Sequence, residues 1–218
     1  MTEIVVGGAI RVPVWVQDLD SFRRWCLSAD FPDQGNISFL DGQLWVDPSM
    51  ERDVHSQIKY AILSALFTLI RQKRLGRGYP DGMRLVHPEA NLSTEPDGMF
   101  ASRASLQRQR VQLQKGKDSL ELIGSPDMVL EVVSPTSVEK DTVRLVELYH
   151  RARVREYWLV NPLGDVLDFK IYRHAARKFA EVRPNRSWLR SEVFGQSFRL
   201  VETTDELNLP EFTLEVRL

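Results

Sequence analysis

The 218 residues contain one cysteine, Cys26, so no intramolecular disulfide can form and no cysteine-based zinc site can be assembled. That usage fits a reducing cytoplasm. No run approaches the roughly 20 continuous apolar residues of a membrane span. The opening MTEIVVGGAIRVPVW has no basic region followed by a long apolar stretch, so a soluble, unexported protein is expected. Net charge is almost absent: 29 Lys and Arg against 30 Asp and Glu give −1, without the basic excess common in nucleic-acid-binding domains. There is also no glycine-rich phosphate loop, serine nucleophile elbow or histidine-rich metal signature. A hydrolase of small phosphorylated molecules therefore finds no support.

What is present is an ordinary globular composition, 43% hydrophobic and 27% charged, in a length that suits one domain over residues 1–218. Phe22, Trp25 and Cys26 fall at helical spacing in SFRRWCLSADFPDQGN. ISFLDGQLWVD places Asp-Gly between apolar residues, a hairpin signal over Ile37 to Val46. Val54, Ile58, Ala61, Ile62, Ala65, Leu66, Leu69 and Ile70 then mark a long helix, ended by Arg71, Lys73, Arg74 and Gly76.

From Met83 the period shortens. MRLVH, EPDGMFAS and DMVLEVVS read as strands, SPTSVEKDTVRLVELYHRARV as a helix and REYWLVNP as another strand. A β-rich tail starts at about residue 163. Two stretches are locally basic, Arg71 to Gly78 and Ser102 to Lys117, and the second reads as a loop or short helix. The fold class is α/β in the mixed α+β sense.

Two acids resist explanation as surface charge. Asp97 in EPDGMF and Glu131 in DMVLEVVS both stand among apolar neighbours. In a strand, Leu130 and Val132 share one face while Glu131 joins Val129 and Val133 on the other. A buried carboxylate is costly without a positive partner. A magnesium ion, for which manganese could substitute, would supply one, since hard cations take one or two carboxylates and keep waters for a phosphate. Asp97, Glu131 and the Val132 carbonyl are the candidate ligands. Taken singly, either acid reads equally well as a solvated strand end or as the partner of an Arg or Lys.

Pro96-Asp97 followed by Glu131 in an apolar strand and then a helix resembles the PD-(D/E)XK nuclease superfamily. The segments FLDGQLWV, DVHSQI, EPDGMF, PDMVLEVVSPTS and VREYWLVNP are similar to its restriction-endonuclease-like Uma-two branch, from about Ile37 to Val160. The resemblance implies a central mixed β-sheet flanked by helices, magnesium-dependent cleavage of DNA phosphodiesters, and a homodimer for double-strand cutting. It also implies that Asp97 and Glu131 hold the metal and that His55 faces the site, although His55 reads equally as a half-buried histidine beside the apolar stripe of its helix.

The chain departs from the branch at two places. The lysine that the branch supplies from the next helix aligns with Leu145, and the acid that it carries three positions before Asp-Gly aligns with Ser38. Lys140 and Arg144 are the nearest bases, four apart and on one face of an α-helix. Either one replaces the lysine, or the protein is a degenerate member that binds metal or nucleic acid without cutting. Asp141 reads as a helix cap or partner, Glu95 as a second acid only if its strand is regular, Ser134-Pro135 as strand termination, and Tyr157 and Trp158 as core or interface aromatics.

Overall fold

The computed structural model describes residues 2–114 and 118–217. A hairpin of β1 (Glu3–Val6) and β2 (Ile10–Pro13) leads to helix α1 (Leu19–Cys26). Strands β3 (Asn36–Leu40) and β4 (Gln43–Asp47) form the expected second hairpin. Its turn residues Asp41 and Gly42 have φ of 52° and 87°, the left-handed pair that a tight hairpin needs and that Asp-Gly supplies at low cost. The long helix is α2 (Asp53–Gln72). Then follow β5 (Gly76–Pro80), β6 (Arg84–His87), β7 (Leu92–Thr94), β8 (Gly98–Ser102), α3 (Arg103–Gln107), β9 (Val111–Leu113), β10 (Glu121–Gly124) and β11 (Met128–Val132).

One π turn, Lys140–Arg144, runs directly into α4 (Leu145–Arg151). The chain ends with β12 (Glu156–Asn161), β13 (Asp168–Arg173), β14 (Ala180–Glu181), β15 (Leu189–Ser191), β16 (Gln196–Thr204) and β17 (Pro210–Arg217). Among the described residues no helix is long and apolar enough to cross a membrane.

The central sheet has the order β14-β13-β12-β11-β8-β5 and is mixed. Strands β11 and β12 are parallel, with Leu130 opposite Trp158, whereas β8 and β11 are antiparallel, with Leu130 opposite Gly98. Parallel neighbours need a crossover, and the π turn with α4 provides it. Helix α2 covers one face through Ile58, Ile62 and Leu66, which pack with Leu130, Val132 and Trp158. Helix α4 covers the other through Leu145, Leu148 and Tyr149, which pack with Val129 and Val133. Both faces of β11 are thus sealed, which is why its sequence is almost continuously apolar. At Gly98 a Cβ would stand 2.6 Å from Leu63 Cδ2, so a larger residue there would make the Leu63 side chain shift for α2 to lie this close to β8.

A second six-stranded sheet, β4-β3-β7-β6-β10-β9, carries the hairpin beside the core. Sequence patterning does not reveal it, because it depends on β6 pairing in parallel with the distant β10. The β-rich tail forms a three-stranded sheet, β15-β16-β17, whose Phe198, Phe212 and Leu214 pack in the α2 layer. It is latched to β12 by Glu156, a buried carboxylate that accepts from Trp158 Nε1, Ser191 Oγ and the amides of Glu192 and Val193. The strand expected to begin at Glu95 begins at Gly98. Asp97 therefore lies just outside it.

Candidate functional site

Where β8 begins and β11 ends, the sheet opens onto a group of acids and bases. Asp97 stands one step beyond the Gly98–Leu130 pair, and its Oδ2 accepts from the Val132 amide at 2.7 Å. Glu131 is 3% exposed, and its Oε1 accepts from the Tyr149 hydroxyl at 2.5 Å. Burial, Asp141 and Asp97 push its pKa well above the ordinary carboxylate value, against the pull of Lys140 and Tyr149.

The π turn brings in the next two groups. Lys140 and Asp141 are both buried, with Lys140 Nζ 3.4 Å from Asp141 Oδ1. That oxygen accepts no hydrogen bond, so the pair is held by charge rather than by a directed bond. Burial raises the Asp141 pKa to about 6, against Lys140 and Ser137. Lys140 resists the lowering effect of its own burial because Asp141, Glu131 and Asp97 all favour the charged form. It is an ammonium ion at neutral pH.

Asp141, expected as a cap or local partner, is the partner of Lys140 and with it joins the acid group. The segment is a π turn, closing from i to i+5 rather than i to i+4, as in the Leu145 amide bond to the Lys140 carbonyl. Lys140 sits one such turn before Leu145 and is buried. Arg144 points to the hairpin and donates to Gln43 Oε1 at 2.9 Å. Leu145 fills the apolar layer with Val129 and Val133.

From the opposite face α2 contributes His55 and Lys59. The His55 Nε2 lies 2.7 Å from the Val132 carbonyl and 3.4 Å from Asp97 Oδ2, while Nδ1 lies 2.9 Å from Glu51 Oε1. Burial alone would lower the His55 pKa, but the Asp97 and Glu51 carboxylates override it and hold it at about 9. Burial likewise fails to raise Glu51, which Lys59, His55 and Ser56 hold at about 2. Lys59 Nζ reaches Glu51 Oε2 at 2.8 Å, Asp81 Oδ2 at 2.6 Å and Asp97 Oδ1 at 3.7 Å. Sequence reasoning missed Lys59, although it stands one helical turn after His55 and the spacing places both on one face.

Glu95 turns away, accepting from the Gly82 amide and lying 3.6 Å from Arg84. Ser38 is buried, with its hydroxyl 2.9 Å from Thr94 Oγ1. A nearby rim is polar: Thr136 donates to Asp47 Oδ2 at 2.6 Å, and Ser49 donates to Asp47 Oδ1.

The donors fit a hard divalent cation in kind. Asp97, Glu131 and Asp141 offer carboxylate oxygens, one of them buried and unbonded, and their mutual repulsion is what a dication relieves. Among the described residues no three His, Cys, Asp or Glu side chains are arranged to hold a metal ion together. Magnesium does not need three, since it is held by one or two carboxylates with several retained waters. The Val132 carbonyl faces His55 and keeps a second lone pair.

A crystal structure of a "putative nuclease belonging to DUF820" from Anabaena variabilis ATCC 29413 has the same fold. The TM-score is 0.62 at 17% sequence identity, covering 82% of this chain and 90% of that one. No curated protein matches the sequence. The family model Uma2, described as "Putative restriction endonuclease", matches residues 19–216. With that match spanning nearly the whole chain, this protein belongs to the Uma2 family of putative restriction endonucleases.

Proposed function

We propose that this protein is a magnesium-dependent endonuclease that hydrolyses DNA phosphodiester bonds, with Asp97 and Glu131 as metal ligands and Lys140 in place of the lysine that Leu145 displaces. The observation that carries the reading is the buried ammonium of Lys140, held at the open end of the mixed sheet among Asp141, Glu131 and Asp97. A lone structural ion pair would need one carboxylate. Here His55 and Lys59 also reach Asp97, but they are shared with Glu51 and Asp81, so five acids meet three bases, an excess of negative charge that suits a metal site.

Bound magnesium supplies a water of lowered pKa and neutralises charge on the phosphate. The chain's own groups then divide the remaining work. Lys140, protonated, stabilises negative charge developing on the phosphoryl oxygens and takes no proton itself. Asp141 keeps that ammonium charged and aimed inward. Glu131 would be a ligand, oriented by the Tyr149 hydroxyl that it accepts from. His55, protonated at neutral pH, acts as a donor that positions Asp97 and the Val132 carbonyl.

The test is cleavage of supercoiled and linear DNA with magnesium or manganese by wild type, Asp97→Ala, Glu131→Ala and Lys140→Met. Metal-dependent cutting that all three variants lose supports the reading. A folded wild type that cuts none of these forms overturns it and leaves a degenerate member that binds without cleaving, with Leu145 as the cause.

A further inference from the structure

A group of positive charges without ion pairs lies at the other end of the central sheet from the carboxylates. Helix α2 passes the site at His55 and ends at Gln72, 17 residues later, which is about 26 Å along its axis. Strand β8 starts after Asp97 and ends at Ser102, about 17 Å away at the usual rise. At that far end the Arg103 amide bonds the Leu75 carbonyl at 3.0 Å, which joins the start of α3 to the end of α2. Arg110 Nη2 donates to the Arg153 carbonyl at 2.9 Å, which joins the segment after α3 to the turn after α4. One end face therefore gathers Arg71, Arg74, Arg103, Arg108, Arg110 and Arg153, all exposed.

Among the described residues none of these six guanidinium groups lies in an ion pair with a carboxylate. Asp127, the acid nearest the start of α3, is fully buried and already engaged by the Ser102 amide, Ser105 and Arg155. Helix dipoles account for Arg71, in the last turn of α2. They do not account for Arg103, which sits at the first and positive end of its helix, or for Arg110 in a strand connection. Like charges gathered without compensating acid repel one another and are relieved by an anionic partner.

We propose that this end face is a backbone-binding surface for duplex DNA, separate from the carboxylate site, and that it anchors the nucleic acid about 20 Å from the place where it is cut. The choice of DNA rests on the proposed function, and the chemistry of the surface agrees with it. Arginine forks match phosphate oxygens two at a time. Exposed amides at Gln72, Gln107 and Gln109 add donors of the kind that contact phosphate and sugar. A lipid surface would call for Trp, Phe or Leu among the bases, and none of the exposed large hydrophobic residues falls in this face. At 3.4 Å per nucleotide on each strand, 20 Å is about six base pairs, so one duplex can span both places.

The experiment is binding of a fluorescent 20-base-pair duplex in the presence of EDTA, at several salt concentrations, by wild type, the control Arg186→Glu in the turn between β14 and β15, and the combined variant Arg74→Glu, Arg103→Glu, Arg108→Glu. All four altered arginines are exposed, and thermal unfolding checks that the variants fold. The expected result is that Arg186→Glu binds as wild type while the triple variant loses at least tenfold in affinity. Its salt slope should fall by about 3, at roughly 0.9 for each phosphate that is no longer neutralised. Unchanged affinity and slope in the triple variant overturn the proposal, as does binding to phosphatidylserine vesicles in preference to the duplex. Arginine-dependent binding by a protein that never cuts would refute the nuclease reading alone and leave this surface standing.

Discussion

The Tyr149 hydroxyl donates a 2.5 Å hydrogen bond to Glu131 Oε1 where neither side chain has appreciable contact with water. Helix α4 thus does more than cover the sheet: it orients the carboxylate that β11 buries. Tyr149→Phe removes only the donor. The folded protein should lose about 1–3 kcal/mol in urea denaturation, the range for leaving a buried acceptor unsatisfied, and bind magnesium more weakly in calorimetry. An unfolding curve and metal affinity indistinguishable from wild type would show that the bond orients nothing.

Lys140 and Arg144 should behave very differently despite being four residues apart. Lys140→Met is expected to reduce cleavage by about 100-fold or more, the scale of losing one transition-state stabiliser. Arg144→Ala should stay within about threefold of wild type, because its guanidinium is bonded to Gln43 on the hairpin. Steady-state cleavage by the two variants decides the matter, and a larger loss for Arg144→Ala would reverse the assignment.

The pair Glu51 and His55 gives the protein a pH window. His55 is raised to about 9 from 6.5, so its contribution is fully present below pH 6.5 and is lost as pH rises through about 9. Glu51 is lowered to about 2 from 4.5, so its contribution is present above pH 4.5 and is lost as pH falls through about 2. Glu51→Gln should therefore cost most stability between about pH 4.5 and 6.5. Proton NMR should also find the His55 titration moved down from 9 toward 6.5. A His55 pKa below 7 in the wild type would contradict the ion pair.

Metal binding should depend on pH in the opposite sense. Asp141 ionises near 6 and Glu131 higher than an ordinary carboxylate, so protons compete with a cation below those values. Magnesium should raise the melting temperature more at pH 7.5 than at pH 5. At 100 times its dissociation constant the stabilisation is about 2.7 kcal/mol. Glu131→Gln should abolish the shift, and a shift equal at both pH values would show that the carboxylates are not the ligands.

The features legible in the sequence are those written locally. Asp41-Gly42 encodes its own turn, the stripe from Ile58 to Ile70 encodes α2, and the apolar run around Glu131 announces a strand covered on both faces. The same run singled out Glu131 and, with Asp97, the end of the sheet where they meet. The second sheet was not legible, because β6 and β10 are joined by register rather than by any local pattern. Nor was the π turn, which leaves no compositional trace. Asp141 pairs locally with Lys140, as its position suggested, but its place in the acid group depends on contacts that the sequence does not show. Lys59 had a signal, its one-turn spacing from His55, but a lysine on a helix face is so common that only its three carboxylate neighbours give it meaning.

That π turn suggests how a lysine can change position without changing place. Lys140 and Leu145 are one π turn apart, so a lysine at either residue enters the site from the same wall. Leu145→Lys in the Lys140→Met background should therefore restore part of the lost cleavage, with an ammonium brought in from the turn above. The cost is a charge in the apolar layer that Leu145 shares with Val129 and Val133, so the double variant should be less stable than Lys140→Met alone, by roughly 1–3 kcal/mol. Tenfold or greater recovery of cleavage, at temperatures where the double variant remains folded, is the expected outcome. No recovery in a folded protein would mean that the two positions are not interchangeable, and that Lys140 acts through its pairing with Asp141 rather than by its charge alone.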